Sequence, residues 1–114
     1  MALHIYRVTV RGFFTDLDPD VRARLLDEVD DHDALHAAFT EAGTFTYDRT
    51  LAAFSLRYQL RVQLDDEPDE RVLADAAAER AGLDRAHATL DAAGITSKRI
   101  RVSAADMADV WADR

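Results

Sequence analysis

The 114-residue chain contains no cysteine, which removes disulfides, Fe–S clusters, thiolate zinc sites and cysteine nucleophiles together. It has two prolines and four glycines, so structure breakers are few and each marks a particular place. No apolar run approaches the ~20 residues of a membrane span, and no basic-then-apolar leader pattern opens the sequence. The expectation is a cytoplasmic protein with no membrane partner. G-x-G-x-x-G, P-loop, G-x-S-x-G and C-x-x-C patterns are all missing, so neither cofactor nor metal is expected from motif.

Positive charge is also scarce. Fourteen Lys and Arg stand against twenty-two Asp and Glu, giving a net charge of −8. A pI near 4.8 argues against nucleic-acid binding by phosphate neutralisation. Lys98 is the single lysine, so arginine supplies the rest of the basic side chains. With 48% hydrophobic and 32% charged residues, the composition is that of one folded domain.

What is present is alternation. From Phe54 to Leu64 the even positions are apolar or aromatic (Phe54, Leu56, Tyr58, Leu60, Val62, Leu64), and the odd ones are Ser55, Arg57, Gln59, Arg61 and Gln63. A period of two predicts a strand with one buried face, here drawn from Leu51 to Leu64. His4 to Phe14 alternates in the same way, with His4, Tyr6, Val8 and Val10 on one side and Ile5, Arg7, Thr9 and Arg11 on the other.

Asp18-Pro19-Asp20 has the form of a helix start, with Asp18 as cap and Pro19 at the first position. The helix is expected to end near Asp31, followed by a short helical turn and a strand over 44–49. The pattern also allows the helix to run on, or Ala37 to Thr40 to begin a strand. Asp65 to Glu70 reads as a turn and an acidic helix start. A second helix over 69–93 then carries Val72, Ala76, Leu83, Ala86 and Leu90 as its apolar stripe, with a kink conceivable at Gly82 and a stop at Gly94. Ile95 to Val102 predicts the last strand. Ser103-Ala104-Ala105-Asp106 resembles a capping box opening a short terminal helix that bears Met107, Val110 and Trp111.

Strand, helix, strand, strand, helix, strand is satisfied by an α+β fold of ferredoxin-like type. It is a four-stranded antiparallel sheet (βαββαβ) with both helices on one face and a short C-terminal helix. Residues 1–103 form the domain and 104–114 the tail. The segments YRVTVRGFF (6–14), HDALHAAFT (32–40), TYD (46–48) and AFSLRYQL (53–60) together resemble a family of small proteins of high-GC bacteria catalogued as a domain of unknown function. That resemblance covers residues 4–103 and implies no activity and no functional residues.

Three constellations carry chemistry. Glu28, His32 and His36 are spaced i, i+4, i+8, so a continuous helix would set them on one face for acid–base work or metal contact. Against this stand two ordinary hydrogen-bonded histidines at a helix end. Glu79 lies at the centre of the second helix's stripe, with His87 at its edge. A buried carboxylate there would serve as a base, and one at the rim would pair with arginine. Finally, Arg7, Arg11, Arg57, Arg61, Arg99 and Arg101 all point away from the helices by alternation. The first, third and last strands lie side by side in the ferredoxin-like order, which gathers these arginines on one face. Like charges opposed across strands destabilise a sheet, so counter-charges are expected from the Asp-rich tail, a second subunit or a bound anion.

The functional expectation is a homodimer that binds a small anionic molecule or a partner protein through the arginine face. A cofactor-independent enzyme of dimeric α+β barrel type, with His32, His36 or Glu79 as base and Arg57 or Arg61 as anion stabiliser, is the alternative. An accessory subunit without ligand is the third reading.

Overall fold

The alternation of the two arginine-bearing segments is realised as two long central strands, β1 (Ala2–Phe14) and β3 (Ala53–Leu64). The computed structural model describes residues 2–64 and 68–107. Between these strands run α1 (Pro19–Asp27), two 3-10 turns (Val29–His32 and Ala34–His36) and β2 (Thr44–Tyr47). After them come α2 (Pro68–Ala92) and β4 (Ser97–Asp106).

The sheet order is β2-β3-β1-β4 and every neighbouring pair is antiparallel. β1 and β2 therefore run parallel to each other with β3 between them, and β3 and β4 run parallel with β1 between. The first, third and last strands do lie side by side.

One face of this sheet is closed. Tyr6, Val8, Val10, Leu56, Tyr58 and Leu90 are essentially inaccessible to solvent. Leu25 and Val29 from the first crossover join the same core cluster as Ala74, Ala78, Ala86 and Leu90 of α2, which puts both helices on that face. Each large apolar side chain buried in this way contributes roughly 1.5–3 kcal/mol.

The helix contacts correct the expected stripe. α2 packs through Ala74, Ala78, Gly82, Ala86 and Leu90, spaced strictly by four, while Val72 is 69% exposed. Small residues let the helix axis approach the sheet closely. Gly82 lies inside one continuous helix, and its missing side chain makes room for Val8: a Cβ there would lie 2.5 Å from Val8 Cγ1. The helix ends where Gly94 (φ 69°) donates to Asp91 O at 3.1 Å and Ile95 donates to Leu90 O at 2.9 Å, a Schellman closure.

Several boundaries and one cap differ from expectation. α1 stops at Asp27, four residues early, because three of the five residues from Val29 to Asp33 are aspartates, which favour turns over helix interiors. Asp33 instead caps a new turn by accepting from Leu35 N at 2.9 Å. Asp18 has the position of a cap but makes no side-chain cap bond. Ser103 to Asp106 continue β4 rather than opening a helix, since alternation persists to buried Asp106. Val110, Trp111 and the acids expected beside them lie outside the described residues, as does the turn at 65–67.

Candidate anion-binding face

On the uncovered side of the sheet, register decides which side chains meet. Arg11 has Ser55 as its neighbour on β3 and Arg101 as its neighbour on β4. Thr9, two residues earlier, lies between Arg57 and Ser103. Arg7 lies beside Gln59, and Ile5 beside Arg61. All six expected arginines thus come from three adjacent strands.

They are not equivalent. Arg7 stacks on Phe39, its guanidinium carbon 5.3 Å from the ring centroid. Arg57 is half-buried and donates to Thr46 Oγ1 at 3.2 Å. Arg61 is paired with Glu41 at 3.4 Å, an exposed contact worth little. Arg11, Arg99 and Arg101 are exposed and have no ion-pair or hydrogen-bond partner among the described residues. No carboxylate among the described residues neutralises any of the three.

A β-bulge concentrates the positive charge. Arg11 pairs with Arg101 and Phe13 with Lys98, so Gly12 stands against both Arg99 and Ile100. Arg99 takes the left-handed conformation that this requires (φ 54°), a position that suits glycine better than arginine. The shift also turns Lys98 to the side of Phe13, a cation that simple alternation assigned to the other face.

These residues border a depression of about 930 Å³ at the end of the sheet where β1 finishes and β4 begins. Its β1/β4 side carries Arg11, Arg99 and Arg101, and Arg57 lies in its middle. At the β2 edge it is bounded by Asp33 and Asp48. Each of these two carboxylates spends Oδ1 on a local turn, Asp33 on Leu35 N and Asp48 on Thr50 N and Oγ1.

The histidine and glutamate set is only partly brought together, with Glu28 near His32 and His36 on a separate turn. Glu28, His32 and His36 do not share a helix, because α1 has ended and the backbone at Asp33 is extended. His32 Nδ1 donates to Phe45 O at 2.9 Å, and the ring stacks on Tyr47 at 5.1 Å. It is held as a packing residue, with Glu28 3.9 Å from Nε2. His36 is exposed, Glu79 is half-buried beside the α2 stripe and His87 is exposed. None of His32, His36 and Glu79 lines the 930 Å³ depression or either smaller one beside Glu41 and Arg85. Among the described residues no group of three His, Asp or Glu is placed to hold a metal.

The structure adds a polar cluster that periodicity did not suggest. His4 Nδ1 donates to Asp106 Oδ2 at 2.6 Å with both residues 6% exposed. One pleat along, Tyr6 donates to Asp75 Oδ1 at 2.5 Å. The signal in the sequence was a histidine at an inward strand position, which demands a partner. That partner lies 102 residues away in the chain. Tyr47 is similarly fixed, donating to Leu25 O at 2.7 Å. Burial, then the charge of Glu28, pushes its phenol up to about 12 against the opposing pull of Arg24.

DUF6204, described as a family of unknown function, matches the sequence over residues 1–114. The chain belongs to that family. No curated protein and no solved structure shows a significant match to this DUF6204 chain. Membership therefore supplies no activity, and the arginine face of the DUF6204 domain has to be read on its own chemistry. No helix among the described residues is long and apolar enough to cross a membrane.

Proposed function

We propose that this protein is a small-molecule binding module whose open sheet face captures an anion. The observation that carries the reading is the trio Arg11, Arg99 and Arg101. They stand around a depression of about 930 Å³ with no acidic partner among the described residues, on a chain of net charge −8. Guanidinium groups present fixed donor forks suited to carboxylate or phosphate, and clustered unpaired cations gain most from an anion that satisfies several at once. The enzyme reading lacks a comparable gathering of groups. The β3-β1-β4 adjacency supports a ferredoxin-like assignment, and the cytoplasm suits a cysteine-free chain.

A homodimer is favoured by a separate feature. Among the described residues the only strand that Ala2 to Ile5 pair with is β3, and their β3 partners Arg61 to Leu64 pair with no other strand, leaving a two-stranded ribbon with Leu3 54% exposed. Ribbons of two strands are marginal alone, so a second copy pairing at this edge would stabilise it. Packing two bare arginine faces together would instead oppose guanidinium to guanidinium. Sedimentation at micromolar concentration tests this: Leu3→Asp is expected to convert dimer to monomer, and a wild-type monomer ends the dimer reading.

The binding reading is tested by thermal melting with millimolar phosphate and succinate at constant ionic strength. A rise in Tm that Arg11→Ala and Arg101→Ala abolish is expected. The reading fails if neither anion shifts the wild-type Tm.

A further inference from the structure

The depression is not uniformly positive, and its polarity says more about the ligand than the presence of arginine does. Its cationic side is built on three backbone positions in close succession. Arg11 and Arg101 are directly opposed across β1 and β4, and Arg99 precedes Arg101 by two residues on β4, at the bulge. Opposed residues in such a pair have Cβ atoms roughly 5 Å apart, close enough for three long guanidiniums to converge on one group. Hydroxyls flank them, because Ser55 is Arg11's other neighbour and the Thr9–Ser103 pair sits one step along.

A lone carboxylate would offer one charge and two oxygens to this set, leaving most of its mutual repulsion in place. A phosphomonoester brings a charge of about −1.5 to −2 and three strong acceptor oxygens, one for each guanidinium. It fits the count of both charges and donors.

The far side has the opposite character. Asp33 and Asp48 border the depression at the β2 edge, two to three strand spacings away, roughly 10–14 Å between backbones. Each has one oxygen engaged in its own turn, and no protein donor to the other oxygen is found among the described residues. Carboxylates there repel a polyanion that spans the site but accept hydrogen bonds from hydroxyl or amino groups. Phe13, 41% exposed and two residues beyond Arg11 on β1, supplies an apolar surface beside the cationic pole, and Arg57 of β3 lies between the two poles. A volume of about 930 Å³ suits a molecule of sugar-phosphate or nucleotide size better than a bare inorganic anion.

We propose that the face is a phosphomonoester site: Arg11, Arg99 and Arg101 hold the phosphate, and Asp33 and Asp48 accept from hydroxyls of the organic portion. This rests on the anion-binding reading above and narrows it to one ligand class. The strained conformation of Arg99 accords with it, since backbone strain is retained where a side chain must be held in a set place.

Calorimetric titration of the full chain with ribose 5-phosphate, inorganic phosphate and succinate tests the proposal. Ribose 5-phosphate is expected to bind at least about tenfold more tightly than either of the others, the equivalent of about one charge-assisted hydrogen bond. Arg99→Gly keeps the backbone conformation and should weaken both phosphates. Asp48→Asn, which retains the turn acceptor, should erase the preference for ribose 5-phosphate over inorganic phosphate while leaving the latter's affinity unchanged or improved. Succinate binding as tightly as ribose 5-phosphate overturns the phosphomonoester assignment and leaves the anion site standing. Binding of none of the three overturns both. Unchanged discrimination in both Asp48→Asn and Asp33→Ala, with melting curves showing folded protein, removes the bipolar half of the proposal.

Discussion

Arg11 and Arg101 are direct cross-strand neighbours on the open face, two like charges with no acid between them among the described residues. Such a pair opposes folding by a few tenths of a kcal/mol up to about 1 kcal/mol, more at low salt than at high. Arg101→Ser is therefore expected to raise the urea midpoint in low salt, with the gain shrinking in 0.5 M NaCl, while anion binding falls. A lower midpoint at low salt would show that the pair is compensated in the folded protein.

Gly82 offers a prediction in which local and tertiary effects have opposite signs. Glycine to alanine inside a helix ordinarily stabilises by about 1 kcal/mol. Here the added Cβ would sit 2.5 Å from Val8 Cγ1, on a strand whose inward face is fully buried. Overpacking of this kind costs typically 1–3 kcal/mol. Gly82→Ala should lower Tm, and Gly82→Ala combined with Val8→Ala should recover part of the loss. A stabilised single variant would mean that α2 can move away from the sheet.

The buried His4–Asp106 pair joins the start of β1 to the end of β4. Asp106→Ala strips the carboxylate from an imidazole that is 6% exposed and should destabilise the fold by about 1–3 kcal/mol. Asp106→Asn retains an oxygen acceptor for Nδ1–H and should lose less. Urea unfolding of the three proteins gives the ranking directly. Equal losses in the two variants would show that hydrogen bonding at this position is not what matters.

Tyr47 predicts behaviour at high pH. Its folded phenol is raised from 10.0 to about 12, first by burial and then by Glu28. The folded state thus holds this proton more tightly than the unfolded chain. The corresponding stabilisation is complete below pH 10 and is lost as pH rises toward 12. Absorbance at 295 nm should show a late-titrating tyrosine that Tyr47→Phe removes. The same substitution should cost about 1 kcal/mol through the lost bond to Leu25 O. Tyr58→Phe should cost nothing, since the buried Tyr58 hydroxyl has no hydrogen-bond partner among the described residues.

Much of this architecture was legible from residue order. Alternation in His4 to Phe14 and Phe54 to Leu64 determined which side chains face the core, because a strand's period of two leaves no other arrangement that buries both apolar sets. It also placed the arginines on the outer face. The second helix and its glycine stop followed from spacing and backbone conformation. Composition excluded thiol chemistry outright and made phosphate-backbone binding implausible.

Tertiary structure decided what those faces became. The end of α1 depended on a contest between helix propensity and local aspartate turns, which separates His32 from His36 and removes the spacing that suggested a shared site. The α2 stripe shifted to Ala74, Ala78 and Gly82 because close approach to Val8 favours the smallest residues over the most hydrophobic ones. Partners such as Asp106 for His4, or Glu41 for Arg61, come from chain-distant segments that no periodicity links. Only tertiary contacts with Phe39, Thr46 and Glu41 showed that Arg7, Arg57 and Arg61 are engaged while Arg11, Arg99 and Arg101 have no partner among the described residues. Sheet register with the bulge at Arg99 set those three at one end. Sequence determines which residues are available on a face; the packing of remote segments determines which of them remain uncompensated, and that remainder is the candidate site.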